Sequence, residues 1–121
     1  VSRGAKSAVF VDLREDACRL IRENVKRADM TADCKVIKAD YLSYLKNCKD
    51  SFDIVLLDPP YAEEFLENSL NIITEIDILQ SNGIIVTERP VGKLLEFDFP
   101  GFTRSKDYKY GKTLLTLYRK D

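Results

Sequence analysis

The chain has 121 residues, 45% of them hydrophobic and 32% charged, and carries a net charge of −1. This balance excludes a disordered tail, and no apolar run approaches the ~20 residues of a membrane-spanning helix, so a soluble globular protein of one domain over residues 1–121 is expected. A near-neutral total also means that no global basic field draws the chain toward nucleic acid.

Cys18, Cys34 and Cys48 are odd in number and far apart, there is no Cys-x-x-Cys, and histidine is absent altogether. A disulfide framework or a zinc site is therefore not expected. Lack of histidine also removes the commonest general base and every Ser-His or Cys-His nucleophile. Chemistry on this chain has to run on carboxylates, backbone carbonyls and positioning.

In chain order, Ala8-Val9-Phe10-Val11 reads as a short buried strand closed by Asp12, with no signal-peptide pattern before it. Residues 14–28 place Ala17, Ile21, Val25 and Ala28 at helical spacing. Cys34 to Ala39 alternates like a strand nearer a sheet edge and is closed by Asp40; a short helix over Tyr41 to Asn47 comes next. Phe52 to Leu57 is an apolar run that reads as a buried strand of a parallel sheet. Glu63 to Leu79 repeats apolar residues at helical spacing, from Phe65-Leu66 through Leu70 and Ile73. Phe65 and Leu66 suit the core of that helix better than a substrate contact. Asn82-Gly83 is read as the stop of this helix and the opening of the strand Ile84 to Thr87.

Pro90, Gly92, Pro100 and Gly101 then punctuate a loop-rich stretch. Two more strands come after it, Phe102 to Ser105 and Thr113 to Tyr118, with Tyr110-Gly111-Lys112 in their connection. So short a link holds no crossover helix and predicts an antiparallel pair. Arg104, Lys106, Lys109 and Lys112 cluster near Tyr108 and Tyr110. That patch could touch phosphates, but solvated charge on an edge hairpin is the plainer reading. Arg89, at the end of its strand, is read as structural, and Cys18 as a small buried helix residue.

The most informative residues are Asp58-Pro59-Pro60-Tyr61, directly after the Phe52–Leu57 run. An acid, two prolines and an aromatic ring at the carboxyl end of a strand stand where open α/β sheets bind ligands. A base amine is a poor nucleophile because its lone pair is delocalised into the ring. Two acceptors, the Asp58 carboxylate and the Pro59 carbonyl, can hold both N–H groups and turn the lone pair outward. Proline fixes φ and removes competing donors, so Pro59 and Pro60 make the loop rigid. Tyr61 offers a face for an extruded base. A plain strand-end turn would also use Asp and Pro.

Acids closing successive strands at Asp12, Asp40 and Asp58 resemble a Rossmann-like S-adenosylmethionine-dependent methyltransferase. Ser2-Arg3-Gly4-Ala5, the Asp-Pro-Pro-Tyr and Tyr110-Gly111 narrow this to a resemblance to the RsmD-type small-subunit ribosomal RNA guanine-N2 methyltransferases, over essentially the whole of residues 1–118. The resemblance implies an α/β sheet, mostly parallel, finished by a C-terminal antiparallel hairpin. It implies catalysis by Asp58, Pro59, Pro60 and Tyr61, with S-adenosylmethionine held by Asp12, Leu13, Asp40, Tyr41 and Asp58. Asp12 would accept the two ribose hydroxyls and Asp40 the adenine amine, although both acids also suit helix caps. It further implies a cytoplasmic enzyme with ribosomal RNA as partner, within a small-subunit assembly, and no metal. An adenine-N6 methyltransferase, or a nucleotide- or ribosome-binding module without catalysis, would use many of the same residues.

The family also carries a strand and a glycine-rich cofactor loop ahead of the Ser-Arg-Gly-Ala segment. Neither is in this sequence, so the 121 residues read as the later part of such an enzyme. We expect the chain by itself to bind S-adenosylmethionine weakly or not at all. Titration calorimetry checks this, and clear micromolar binding would contradict it.

Overall fold

The computed structural model describes residues 4–57, 63–91 and 99–121. The chain forms two compact units, Val1–Asn47 and Cys48–Asp121. Ser2 and Arg3, the Asp58–Tyr61 motif and Gly92 lie outside the described residues, as do the side chains of Phe65, Leu66 and Ser69.

The first unit is two β/α steps: β1 (Ala8–Asp12), α1 (Glu15–Arg27), β2 (Cys34–Lys38) and α2 (Tyr41–Asn47). β1 and β2 pair in parallel, from Ala8 opposite Cys34 to Asp12 opposite Lys38. Helix α1 keeps the predicted bounds to within a residue, with acids Glu15 and Asp16 in its first turn and Lys26 and Arg27 in its last, as the helix dipole favours. It ends without a glycine. Asp29 takes φ 57°, while its N–H donates to the Lys26 carbonyl and that of Met30 to the Val25 carbonyl, the paired bonds of a Schellman turn. Ala28, predicted on the apolar face, is exposed as the cap. Cys18 is fully buried beneath α1, as its position suggested, and with Leu45 makes up this unit's buried apolar residues among those described. The Cys18 thiol donates to the Asp12 carbonyl at 3.4 Å.

The second unit holds β3 (Phe52–Leu57), α3 (Glu63–Glu75), β4 (Leu79–Pro90), β5 (Phe102–Arg104), β6 (Tyr108–Tyr110) and β7 (Thr113–Lys120). The strand order is β3-β4-β7-β5, with β6 also on β7. β3 and β4 run parallel, whereas β4, β5 and β6 all pair antiparallel with β7. The predicted antiparallel partners Phe102–Ser105 and Thr113–Tyr118 are indeed neighbours, but their connection contains a third strand, β6, that the sequence pattern leaves as part of the link. Three residues, Tyr-Lys-Tyr, are too short a run to show a period of two.

Two further expectations change. Helix α3 stops at Glu75, and Leu79 already belongs to β4, so Asn82-Gly83 lies inside a strand. Phe52 faces Leu79 and Ile54 faces Ile84, which leaves residues 80–83 as a bulge opposite Asp53. Asn82 takes φ 63° there, a conformation Asn tolerates. The turn chemistry is real but serves a bulge. Second, β3 is not buried on both faces: Ile54 is 59% and Leu56 74% exposed. Among the described residues β3 pairs with β4 alone, and Ile54 and Leu56 share one face of it.

The core of this unit is made by residues of α3, of the link after it and of one face of the sheet. Leu70, Ile73, Ile78, Leu79, Ile85 and Tyr118 are buried, and Phe99 meets the Tyr118 ring edge-on at 5.6 Å between centroids. The same sheet face buries polar residues. Thr87 and Thr116 are fully buried and Arg89 is 7% exposed. Thr87 donates to the Thr116 carbonyl at 3.0 Å. Arg89 donates through Nη1 to Thr116 Oγ1 at 2.7 Å and pairs through Nη2 with Asp107 Oδ2 at 2.9 Å. Thr116 in turn donates to Asp107 Oδ1 at 2.5 Å. Arg89 is thus structural, as expected, but its acid comes from the segment between β5 and β6.

The Thr116 hydrogen bond leads in holding the Asp107 carboxyl below the usual carboxylate range; partial burial opposes it, and Arg89 and then Arg104 add to it. A depressed folded-state pKa stabilises above the unfolded value, about 4, and that stability is lost as pH falls through the lower folded value. Asp107→Ala should therefore cost about 2 kcal/mol in urea unfolding at pH 7, less than a fully buried pair because the carboxylate is partly solvated. The gap from wild type should narrow below about pH 4. A Cβ added at Gly83 would stand 2.7 Å from the Gln80 carbonyl oxygen and 3.3 Å from that of Asp53. Gly83→Ala should accordingly lower stability by roughly 1–3 kcal/mol in the same assay.

Candidate functional site

The candidate site is built from the residues that close the parallel strands. β1 ends at Asp12 and β2 at Lys38, directly opposite, and the Ala39 N–H donates to the Asp12 carbonyl at 3.0 Å. That bond carries the ladder one step further and brings Asp40 to the same end of the pair as Asp12. Two carboxylates therefore mark the carboxyl end of adjacent parallel strands, where an open sheet receives ligands.

Each acid also does local work. Asp12 Oδ1 accepts the Arg14 N–H at 2.9 Å, an Asx turn that brings the chain into α1. The helix cap itself is Arg14, which makes no side-chain cap bond, so Asp12 is not the cap and acts two residues upstream of it. Asp40 Oδ2 receives the Ser43 N–H and hydroxyl, both at 3.4 Å, and its carbonyl receives the Tyr44 N–H at 3.0 Å. This is N-cap geometry with long bonds. In both residues the other carboxylate oxygen accepts no hydrogen bond among the described residues. The local structure orients each carboxylate and leaves acceptor capacity over. Leu13 is 64% exposed between β1 and α1, an apolar surface beside Asp12. Tyr41, the first residue of α2, is half-buried.

These features fit a nucleoside. A carboxylate with a spare oxygen suits ribose hydroxyls or an exocyclic amine, and an exposed leucine suits the flat face of a purine. For Asp58, Pro59, Pro60 and Tyr61, the described chain reaches Leu57, the last residue of β3, and the tetrapeptide comes directly after it in sequence. Among the described residues no cluster of His, Cys, Asp or Glu could hold a metal ion. No helix there is long and apolar enough to cross a membrane.

The Arg89–Thr116–Asp107 cluster is what sequence reading missed. A signal existed in the alternation of Ile85, Thr87 and Arg89, which places the arginine on the buried face and so demands an acid. The acid's identity came from tertiary structure alone.

Comparison with known proteins gives this geometry a family. The chain is 28% identical over 123 residues to a Bacillus subtilis protein named "Putative rRNA methyltransferase YlbH", covering 99% of the chain and 67% of that protein. It is 28% identical over 98 residues to the ribosomal RNA small subunit methyltransferase D of Haemophilus influenzae, covering 78% of the chain and 51% of that protein. The chain thus spans between half and two thirds of the length of these relatives. A solved structure from Haemophilus influenzae, named a "putative methylase", superposes with a TM-score of 0.84 at 26% identity, over 98% of this chain and 75% of that one. The fold is the Rossmann-like one of methyltransferases. The model of the family described as conserved hypothetical protein 95 matches residues 1–119, and the chain belongs to that family, the RsmD-type methyltransferases.

Proposed function

We propose that this chain is part of an S-adenosylmethionine-dependent enzyme that methylates the N2 amine of a guanine in small-subunit ribosomal RNA, and that residues 1–121 act as one methyltransferase domain. The observation that carries the reading is Asp58-Pro59-Pro60-Tyr61 directly after β3, in a family whose named relatives modify small-subunit rRNA. The family match running through both compact units supports the single domain.

In this reading Asp12 accepts the ribose hydroxyls of the methyl donor, Leu13 lies against the nucleoside, and Asp40 with Tyr41 takes the adenine end. The donor, when bound, would supply a methyl group on a sulfonium whose methyl–sulfur bond breaks to leave a neutral thioether, chemistry that needs no metal and no covalent enzyme intermediate. The remaining work is done by the residues after β3. The Asp58 carboxylate and the Pro59 carbonyl each accept one N–H of the guanine amine, which turns the nitrogen lone pair along the line of attack. Pro60 holds the loop against rotation. Tyr61 stacks on the extruded base, a contact worth ~1–3 kcal/mol per base. The proton lost by the amine goes to the Asp58 carboxylate. Catalysis is then chiefly alignment.

The test uses the protein expressed from its complete gene, with rRNA and radiolabelled donor, then nuclease digestion and mass spectrometry. Label should appear as N2-methylguanine, and Asp58→Asn should reduce the rate by roughly 10²–10⁴. N6-methyladenine in the digest would overturn the choice of base, and no incorporation into RNA would overturn the function.

A further inference from the structure

We infer that the β6–β7 hairpin is a second RNA-contacting surface, on which unpaired bases flanking the target stack against Tyr108 and Tyr110 while Lys106 and Lys112 meet the adjoining phosphates. This rests on the rRNA reading above and extends it to a surface that the reaction itself does not use.

Four observations converge on the hairpin. Tyr108 pairs with Leu115 and Tyr110 with Thr113, so both rings stand on the sheet face opposite the core. There they line a depression with Leu115 and Leu117. Tyr110 is 63% exposed, a large ring that no neighbour among the described residues covers. The Lys106 ammonium lies over the Tyr108 ring, 5.4 Å from its centre, a cation–π contact that brings a positive charge onto the aromatic surface beside the open Tyr110 ring.

Charge points the same way. Residues 104–112 hold four cations and a single acid, in a chain whose net charge is −1. That acid, Asp107, is withdrawn into its pairing with Arg89, Arg104 and Thr116, which leaves the hairpin's outer surface basic. Lys109, opposite Leu114, is on the other face. Glu88, opposite Leu115, shares the tyrosine face but lies two strand spacings from Tyr108, about 10 Å. Basic side chains interleaved with exposed rings are how sequence-tolerant single-strand surfaces are built. An apolar protein partner would gain nothing from the lysines.

Placement within the sheet brings the hairpin near the reacting end. Leu57 pairs with Thr87, Pro90 with Thr113 and Thr113 with Tyr110. The hairpin turn therefore projects from the same sheet end as the carboxyl terminus of β3. It stands three strand spacings across, about 14 Å, and three residues further out, about 10 Å. An RNA with its target base held after β3 has its near neighbours within reach of these rings.

The experiment measures binding of a fluorescein-labelled, unstructured 12-nucleotide RNA to the protein expressed from its complete gene, alongside methyl transfer to rRNA. Tyr110→Ala should weaken binding at least fivefold and Tyr110→Phe should restore it. Lys106→Glu with Lys112→Glu should flatten the salt dependence of binding. Wild-type affinity in Tyr110→Ala, or equal affinity for a duplex of the same sequence, would overturn the stacking surface even if rRNA is methylated. Failure of methyl transfer with intact, Tyr110-dependent RNA binding would instead sink the functional reading and leave the hairpin assignment standing.

Discussion

The second unit is organised around one buried guanidinium. Arg89 lies on the buried face of β4, where an ion without hydrogen-bonding partners would cost several kcal/mol. It is tolerated because β7 presents Thr116 beside it and because the chain between β5 and β6 folds in to deliver Asp107. That inward turn has consequences beyond charge. It interrupts the strand that would otherwise run from Phe102 to Tyr110 and splits it into β5 and β6, both still paired with β7. Ser105 maintains the ladder across the break, donating its N–H to the Leu117 carbonyl and accepting the Leu117 N–H through its hydroxyl. The course of the chain into the terminal hairpin is thus tied to the pairing of one buried side chain.

The regular part of this fold was legible because hydrophobic period and strand-end acids agree with each other. Asp12 and Asp40 come after short apolar runs and precede amphipathic segments, so strand, loop and helix could all be placed from the residues. The terminal hairpin pair was legible for a simpler reason, a link too short for a crossover. What failed were places where one residue pattern serves two structures. Asn82-Gly83 is good chemistry for a helix end and equally good for a bulge, and only the pairing of Ile54 with Ile84 decides. The apolar run Phe52–Leu57 reads as buried, yet burial depends on what lies across its faces, which a local window does not contain.

For the site, residue type was more informative than position. An acid at the end of a parallel strand suits a ligand, a turn or a cap, and here each carboxylate keeps one oxygen beyond its local bonds among the described residues. Asp12 and Asp40 each commit one oxygen to the backbone or side chain just downstream. A carboxylate fixed in this way loses less rotational freedom when it meets a ligand. Asp107 had no such signature: Ser105-Lys106-Asp107 reads as an ordinary polar connection, and its meaning comes from Arg89, 18 residues earlier in the chain.

The bulge opposite Asp53 has a consequence for the far end of the sheet. Residues 80–83 are taken up there before Ile54 meets Ile84, and from that pair the register runs unbroken to Leu57 opposite Thr87. Side chains alternate faces along a strand, so a slip of one residue beyond the bulge would carry Ile85, Thr87 and Arg89 to the opposite face. The bulge therefore sets which face receives the arginine, and with it which face must receive the acid.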